Sequence, residues 1–221
     1  QAFDVPMEDR VTLFEEGIEV IRQCWTGETF SHHGKHHHLH DIRVRPAPYQ
    51  QPSPPLWIGA STMTGARRAG RMADAFVAGP STNLERTLRL VDAYRKAALE
   101  AGREPEVVLM RDAWAAPSRA EAEDVYGGEV LDAYKYYWRN GLAEFKSIKT
   151  EAEFTLSNIA PDRLILGDPE ECATEFKRWS QAVGTGYFLL RLRQAHSGGP
   201  PHQKITDAIR LCGEQVIPNC Q

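Results

Sequence analysis

Four short apolar runs constrain this chain more than any other feature. Leu56-Trp57-Ile58-Gly59, Val107-Val108-Leu109-Met110, Leu164-Ile165-Leu166 and Tyr187 to Leu192 are nearly continuous in apolar character, and stretches of helical spacing separate them. A strand that is apolar at almost every position must be covered on both faces, as in a parallel sheet flanked by helices. The pattern predicts an α/β fold with a parallel sheet, built from about four βα units. A TIM-type (β/α) barrel takes about 250 residues, whereas this chain has 221 and opens on a helical pattern. It reads as part of such a barrel, cut in mid-alternation, in a single domain over residues 1–221. A half barrel leaves two sheet edges unpaired and its interior open.

Local signals fill in the rest. Val11, Phe14, Ile18, Ile21 and Trp25 recur at spacings of three and four, one face of a helix whose first turn suits Pro6. Phe30 to Lys35 and then Leu39, Ile42 and Val44 predict a hairpin turning at Gly34. The prolines at 46, 48, 52, 54 and 55 make residues 45–55 an extended connector. Residues 26–55 thus form a hairpin and Pro-rich insertion. Ala66, Ala69 and Ala73 form a small-residue helical stripe, and Leu88, Val91, Tyr94 and Ala98 mark a helix from about Leu84 to Gly102. Ser118 with Glu121, and Asp168-Pro169 with Glu171, are helix-opening patterns. Ile205, Ile209, Cys212 and Val216 mark a last helix. From Tyr126 to Leu156 the pattern is mostly helical without a clear register.

The net charge of −4 speaks against a non-specific nucleic-acid or anionic-membrane binder, since both need clustered positive charge. No apolar run reaches the length of a transmembrane helix. The start at Gln1 is neither a signal peptide nor a Met start, so a preceding segment is expected. Cys24, Cys172, Cys212 and Cys220 share no Cys-x-x-Cys spacing and read as reduced thiols of a cytoplasmic protein. No Ser-His-Asp order, phosphate-binding Walker loop or Gly-x-Gly-x-x-Gly fingerprint is present.

Parallel α/β proteins bind ligands at the carboxyl ends of their strands. After Trp57-Ile58 come Gly59, Ala60, Ser61, Thr62, Met63, Thr64 and Gly65, then a helix. Three hydroxyls beside first-turn N–H groups suit a phosphate. The same residues also suit a helix cap without ligand, and the local pattern leaves both readings open. Arg111, Asp112 and Trp114 end one strand; Arg191 and Arg193, with His196 beyond, end another. An arginine in a strand either faces a polar rim or neutralises an acid. His32, His33, His36, His37, His38 and His40 crowd the hairpin. Alternation would let His36, His38 and His40 converge as in a metal-binding module, but no cysteine or acid stands at a defined ligand spacing apart from nearby Asp41, and no metal is expected.

Pro54-Pro55-Leu56-Trp57-Ile58-Gly59-Ala60-Ser61, followed by Ala69-Gly70-Arg71-Met72-Ala73-Asp74, resembles the luciferase-like monooxygenase family of bacterial luciferase and related flavin- or F420-dependent oxidoreductases. Phe14-Glu15-Glu16 through Trp25, Phe30-Ser31, Gly34, Val44-Arg45-Pro46-Ala47-Pro48, Gln51-Pro52, Leu166 to Glu171 and Gly213 to Pro218 are similar to further parts of that family in order and spacing. Ala75 departs from the glycine frequent there. The resemblance implies the C-terminal half of a (β/α)8 barrel that binds FMN or coenzyme F420 and acts on a small organic molecule, by monooxygenation with dioxygen or by hydride transfer. Carried over, Ser61 and Thr64 would hold the cofactor phosphate, with Gly59, Ala60 and Gly65 as close backbone neighbours. The family's first strands and its frequent catalytic histidine would lie upstream of Gln1, so no catalytic residue is assigned. The chain is expected to be the C-terminal portion of a longer oxidoreductase or a truncated homologue. The alternatives are a non-catalytic half barrel that pairs with another subunit, most simply as a homo-oligomer such as a dimer, through its open edges, or a His-rich metal-binding module.

Overall fold

Helix α1 (Arg10–Trp25) realises the first helical stripe, and strands β1 (Phe30–His33) and β2 (His38–Ile42) pair antiparallel as the predicted hairpin. The computed structural model describes residues 6–194 and 198–220. These group into two units, Gln1–Pro55 and Leu56–Gln221. In the first, the Gly34 N–H donates to the His37 carbonyl at 3.0 Å, so the turn falls at the glycine. Glu16 of α1 reaches into that turn. Its carboxylate accepts from the N–H groups of His36 at 3.0 Å and His37 at 2.7 Å, and meets His32 Nε2 at 3.2 Å. Burial alone would raise this carboxyl, but the two amides and the imidazole outweigh it and hold it at about 2. A Cβ on Gly34 would lie 2.0 Å from Glu16 Oε1, so the absence of a side chain there is what admits the carboxylate.

The histidines do not converge as alternation allowed. The His36 ring is hydrogen-bonded to Thr12 Oγ1 at 2.7 Å, and His40 meets His33 edge to face, with centroids 4.7 Å apart. The loop carries His36 towards α1, away from the strand face of His38 and His40. Among the described residues no three metal-ligating side chains come together.

In the second unit the βα alternation forms one parallel sheet. Strand β3 (Trp57–Gly59) pairs with β4 (Ala75–Ala78), β4 with the long β5 (Glu106–Ala115), and β5 with both β6 (Ile165–Gly167) and β7 (Phe188–Arg191). Helices α2 (Met63–Met72) and α3 (Leu84–Glu100) make the first two crossovers. A long excursion follows β5. It holds α4 (Arg119–Ala122), a wide turn at Glu123–Gly127, α5 (Gly128–Arg139) and α6 (Leu156–Ile159). Helix α7 (Pro169–Val183) joins β6 to β7, and α8 (His202–Leu211) comes after β7. No described helix is long and apolar enough to cross a membrane. The four cysteines are free thiols.

The α/β class is as expected, but the membership of the sheet differs from the pattern of apolar runs. Strand β4 lacks a sequence signal: two of its four residues are alanine, and only Ala73-Asp74 separates it from α2. Pairing on both edges makes it a strand, together with Phe76, which is buried against Tyr94 of α3 with centroids 5.2 Å apart. Leu164-Ile165-Leu166, by contrast, supplies only β6, which pairs with the last three residues of β5. The row of four parallel strands is β3-β4-β5-β7.

This row is curled. Neighbouring strands lie about 4.8 Å apart, so β3 and β7 would stand roughly 14 Å apart in a flat sheet. Yet Trp57 of β3 and Tyr187, just before β7, meet edge to face with centroids 5.4 Å apart. Helices cover the opposite side, where Phe188 meets Phe176 of α7 at 4.9 Å. The curvature is that of a barrel wall.

Replacing Glu16 by alanine is expected to abolish hydrogen-exchange protection of the His36 and His37 amides. With a folded value near 2 against an ordinary 4.5, the carboxylate's contribution to stability is complete above about pH 4.5 and disappears as pH falls towards 2. Urea unfolding of the native chain and of Glu16→Ala across that range should therefore converge at the acid end.

Candidate functional site

Gly59 ends β3 at the rim where α/β folds bind ligands, and Ala60 to Thr62 bend the chain into α2. Thr62 has extended backbone and its Oγ1 accepts the Gly65 N–H at 3.1 Å, so it is the N-cap. The two readings open in the sequence thus divide between residues. Thr62 serves the helix, while Ser61 and Thr64 are exposed and their hydroxyls have no partner among the described residues. The N–H groups of Met63 and Thr64, in the first turn, have no intrahelical acceptor. A Cβ on Gly65 would stand 2.7 Å from Ala60 Cβ, so the tightness of the bend requires glycine there. Gly59 adopts an ordinary conformation, and a Cβ on it would meet Val77 O at 3.5 Å; it keeps the rim open without making the turn. Arg86 of α3 anchors the bend, its Nη2 donating to Ser61 O at 2.7 Å.

The second polar cluster sits on β5. Successive strand residues face opposite sides, and Arg111 and Asp112 are both fully buried. Arg111 faces the helices. Its guanidinium carbon lies 3.8 Å above the Trp179 ring, and its nitrogens donate to the carbonyls of Gly79, Pro80 and Thr82 at 3.1, 3.4 and 3.3 Å and to Thr87 Oγ1 at 3.1 Å. Burial pulls this guanidinium down to about 10. Asp112 faces the other side and accepts five hydrogen bonds: Arg191 Nε and Nη2 at 2.6 and 2.8 Å, Tyr134 OH at 2.6 Å, Tyr126 OH at 3.2 Å and Gln194 Nε2 at 2.7 Å. Burial opposes the Arg191 charge, yet Asp112 outweighs it and holds the group above its ordinary value. Burial, reinforced by Asp112, raises both tyrosines, so they stay protonated donors at neutral pH.

Of the residues singled out in the sequence, then, Arg191 neutralises an acid and Arg111 serves backbone carbonyls. Trp114 stacks on Tyr126 at 5.2 Å, and Arg193 donates to Gly198 O. His196 lies outside the described residues. Sequence patterning misses Tyr126, Tyr134 and Gln194. The tyrosines come from the excursion whose register is unreadable, and their eight-residue separation, about two helical turns, is the only trace of a shared face. Replacing Asp112 by alanine leaves Arg191 without its counter-charge and takes one acceptor from Tyr126, Tyr134 and Gln194, which keep Arg191 O, Pro80 O and Tyr126 OH respectively. The expected cost is about 3–5 kcal/mol, read as a fall in unfolding free energy in urea; a loss within the scatter of surface variants would refute the hub.

A model of the luciferase-like monooxygenase family matches residues 1–186. The F420-dependent glucose-6-phosphate dehydrogenase of Nakamurella multipartita is 24% identical over 220 residues, 96% of this chain and 60% of its own length. The FMNH2-dependent dimethylsulfone monooxygenase of Pseudomonas putida is 26% identical over 141 residues, 57% of this chain and 39% of its own. Among solved structures, a monooxygenase from Streptomyces bottropensis superposes with a TM-score of 0.79 at 23% identity, covering 100% of this chain and 64% of that one. The chain therefore spans less than two thirds of the length of each of these three proteins. The structural likeness supports an α/β fold of the TIM-barrel type.

Proposed function

Because the chain belongs to the luciferase-like monooxygenase family, we propose that its hydroxyl bend holds the phosphate of FMN or coenzyme F420 and that it serves an oxidoreductase acting on a small organic molecule. One observation carries this reading. At the C-terminal rim of a parallel sheet, Ser61 and Thr64 present unpartnered hydroxyls at the start of a ten-residue helix whose cap is already made by Thr62. Hydroxyls not needed by the protein, beside N–H groups at the positive helix end, are the donor set a phosphate requires.

The relatives split between F420 and FMNH2, and both cofactors carry a phosphate on a chain attached to a tricyclic ring. When bound, such a cofactor supplies the redox step, with dioxygen or by hydride transfer. The residues of this chain bind and orient. Ser61 and Thr64 donate hydroxyl protons to phosphate oxygens, and the Met63 and Thr64 amides add two donors. Gly59, Ala60 and Gly65 let the backbone come close, and Arg86 fixes the Ser61 carbonyl by a hydrogen bond. Replacing Ser61 and Thr64 together by alanine should weaken FMN or F420 binding. Each lost hydrogen bond to a charged group costs about 1.5–3 kcal/mol. Fluorescence titration checks this; unchanged affinity would overturn the assignment.

A second reading rests on the curled face. Among the described residues β3 and β7 have a neighbouring strand on one side only, and Trp57, Tyr187 and Leu189 are 36, 47 and 40% exposed. Two such arcs related by a two-fold axis would set each β7 beside the other's β3, all strands parallel, and close the sheet. On that reading the partner is a second copy of this chain. Light scattering of the 221-residue chain at micromolar concentration should then give the mass of a dimer, and a monomer mass would dismiss it.

A further inference from the structure

We infer that Arg86 is a positioning residue for the phosphate-binding bend and that Glu144, buried against it, tempers the positive charge the bend presents to an anionic ligand. The inference rests on the reading of the bend as a phosphate site.

Arg86 stands in the first turn of α3, its backbone N–H held by the Asn83 cap at 3.0 Å. The ground beneath it is rigid. Arg111 grips the carbonyls of Gly79, Pro80 and Thr82 just before that cap, Tyr134 OH donates to Pro80 O at 3.2 Å, and Arg163 Nε donates to Ser81 O at 3.2 Å. From this platform the guanidinium crosses to the neighbouring βα loop and fixes the Ser61 carbonyl. Ser61 carries one of the two free hydroxyls, so a donor on the next helix determines how its peptide is turned.

The counter-ion is unusual. Glu144, in the short helical turn Ala143–Phe145, has 1% of its side chain exposed, and its Oε1 lies 3.3 Å from Arg86 Nε. Neither Glu144 oxygen makes a hydrogen bond, and Arg86 Nε makes none either. A buried ion pair normally offsets its desolvation with hydrogen bonds on both partners. This pair is held by charge alone. The buried carboxylate of Asp112 in the same unit, by contrast, accepts from five donors. An unsaturated pair whose cation touches the bend is sensitive to a third charge. An incoming phosphate is attracted by Arg86, which is 30% exposed, and repelled by Glu144.

The test compares FMN with riboflavin, which differ only in the phosphate, and F420 with its parent deazaflavin, which lacks the phosphate together with the acidic tail attached to it. Fluorescence titration gives the affinity ratio for each pair. In the native chain the phosphate ligand should bind more tightly. Arg86→Gln should cut that ratio by about tenfold, equivalent to about 1.4 kcal/mol, with riboflavin affinity unchanged. Arg86→Lys, which keeps the charge, should recover part of it and keep the salt dependence. Glu144→Gln should raise the ratio severalfold. Since Arg86→Gln strands a buried carboxylate, the double variant Arg86→Gln with Glu144→Gln provides a neutral pair expected to keep the fold, checked by thermal unfolding; its ratio should fall well below that of Glu144→Gln alone. If the native chain does not favour the phosphate ligand of either pair, the phosphate reading itself fails. If it does, and both the Arg86→Gln and the double variant keep the native ratio, the role of Arg86 and Glu144 is refuted while the bend stands.

Discussion

Two adjacent charges in the middle of β5, pointing to opposite faces, hold this structure together. The alternation of a strand sends Arg111 under the helices and Asp112 to the other side, and neither reaches water. A bare charge in either place would be prohibitive, so each has gathered partners from distant parts of the chain. Arg111 takes the carbonyls that follow β4 and thereby sets the start of α3. Asp112 takes Arg191 of β7 and the two tyrosines of the excursion. The strands and loops of the rim are placed by what these two residues require.

The rim contains two kinds of polar group. Around Asp112 the buried carboxylate is met by five donors. At the bend after β3 the cap is made by Thr62, and Ser61 and Thr64 are left over. Saturation is the physical criterion that separates them: a group whose hydrogen bonds are all made inside the protein serves the fold, and an exposed set without internal partners is open to a ligand. Both kinds are built from residue types that look equally functional in a sequence, which is why Arg111 and Arg191 draw attention there and turn out to be occupied.

Elements that depend on neighbouring residues are legible in the sequence. Helix α1, the hairpin at Gly34 and the opening of α7 depend on residues within a few positions of one another. Asp168 Oδ1 accepts from Glu170 and Glu171, and Glu171 reaches back to the Asp168 N–H, as the capping pattern implies. Strand β4 escaped because its alanines carry little preference of their own, and its identity comes from the strands on either side. The excursion escaped because its helices are broken by a wide turn, which shifts the register of Tyr126 against Tyr134. Arg86 and Glu144 lie 58 positions apart and share no motif; each looks like an ordinary surface charge until the fold brings them to 3.3 Å.

By itself the sequence determined the class of the fold, the hydroxyl bend and the family resemblance, because period, capping and turn chemistry act over a few residues and leave their mark in order and spacing. Only the tertiary structure decided which strands are neighbours, which charges are neutralised and which hydroxyls remain free. Those outcomes depend on burial and on partners far away in the chain, and a side chain's local sequence does not encode whether its hydrogen bonds have been taken.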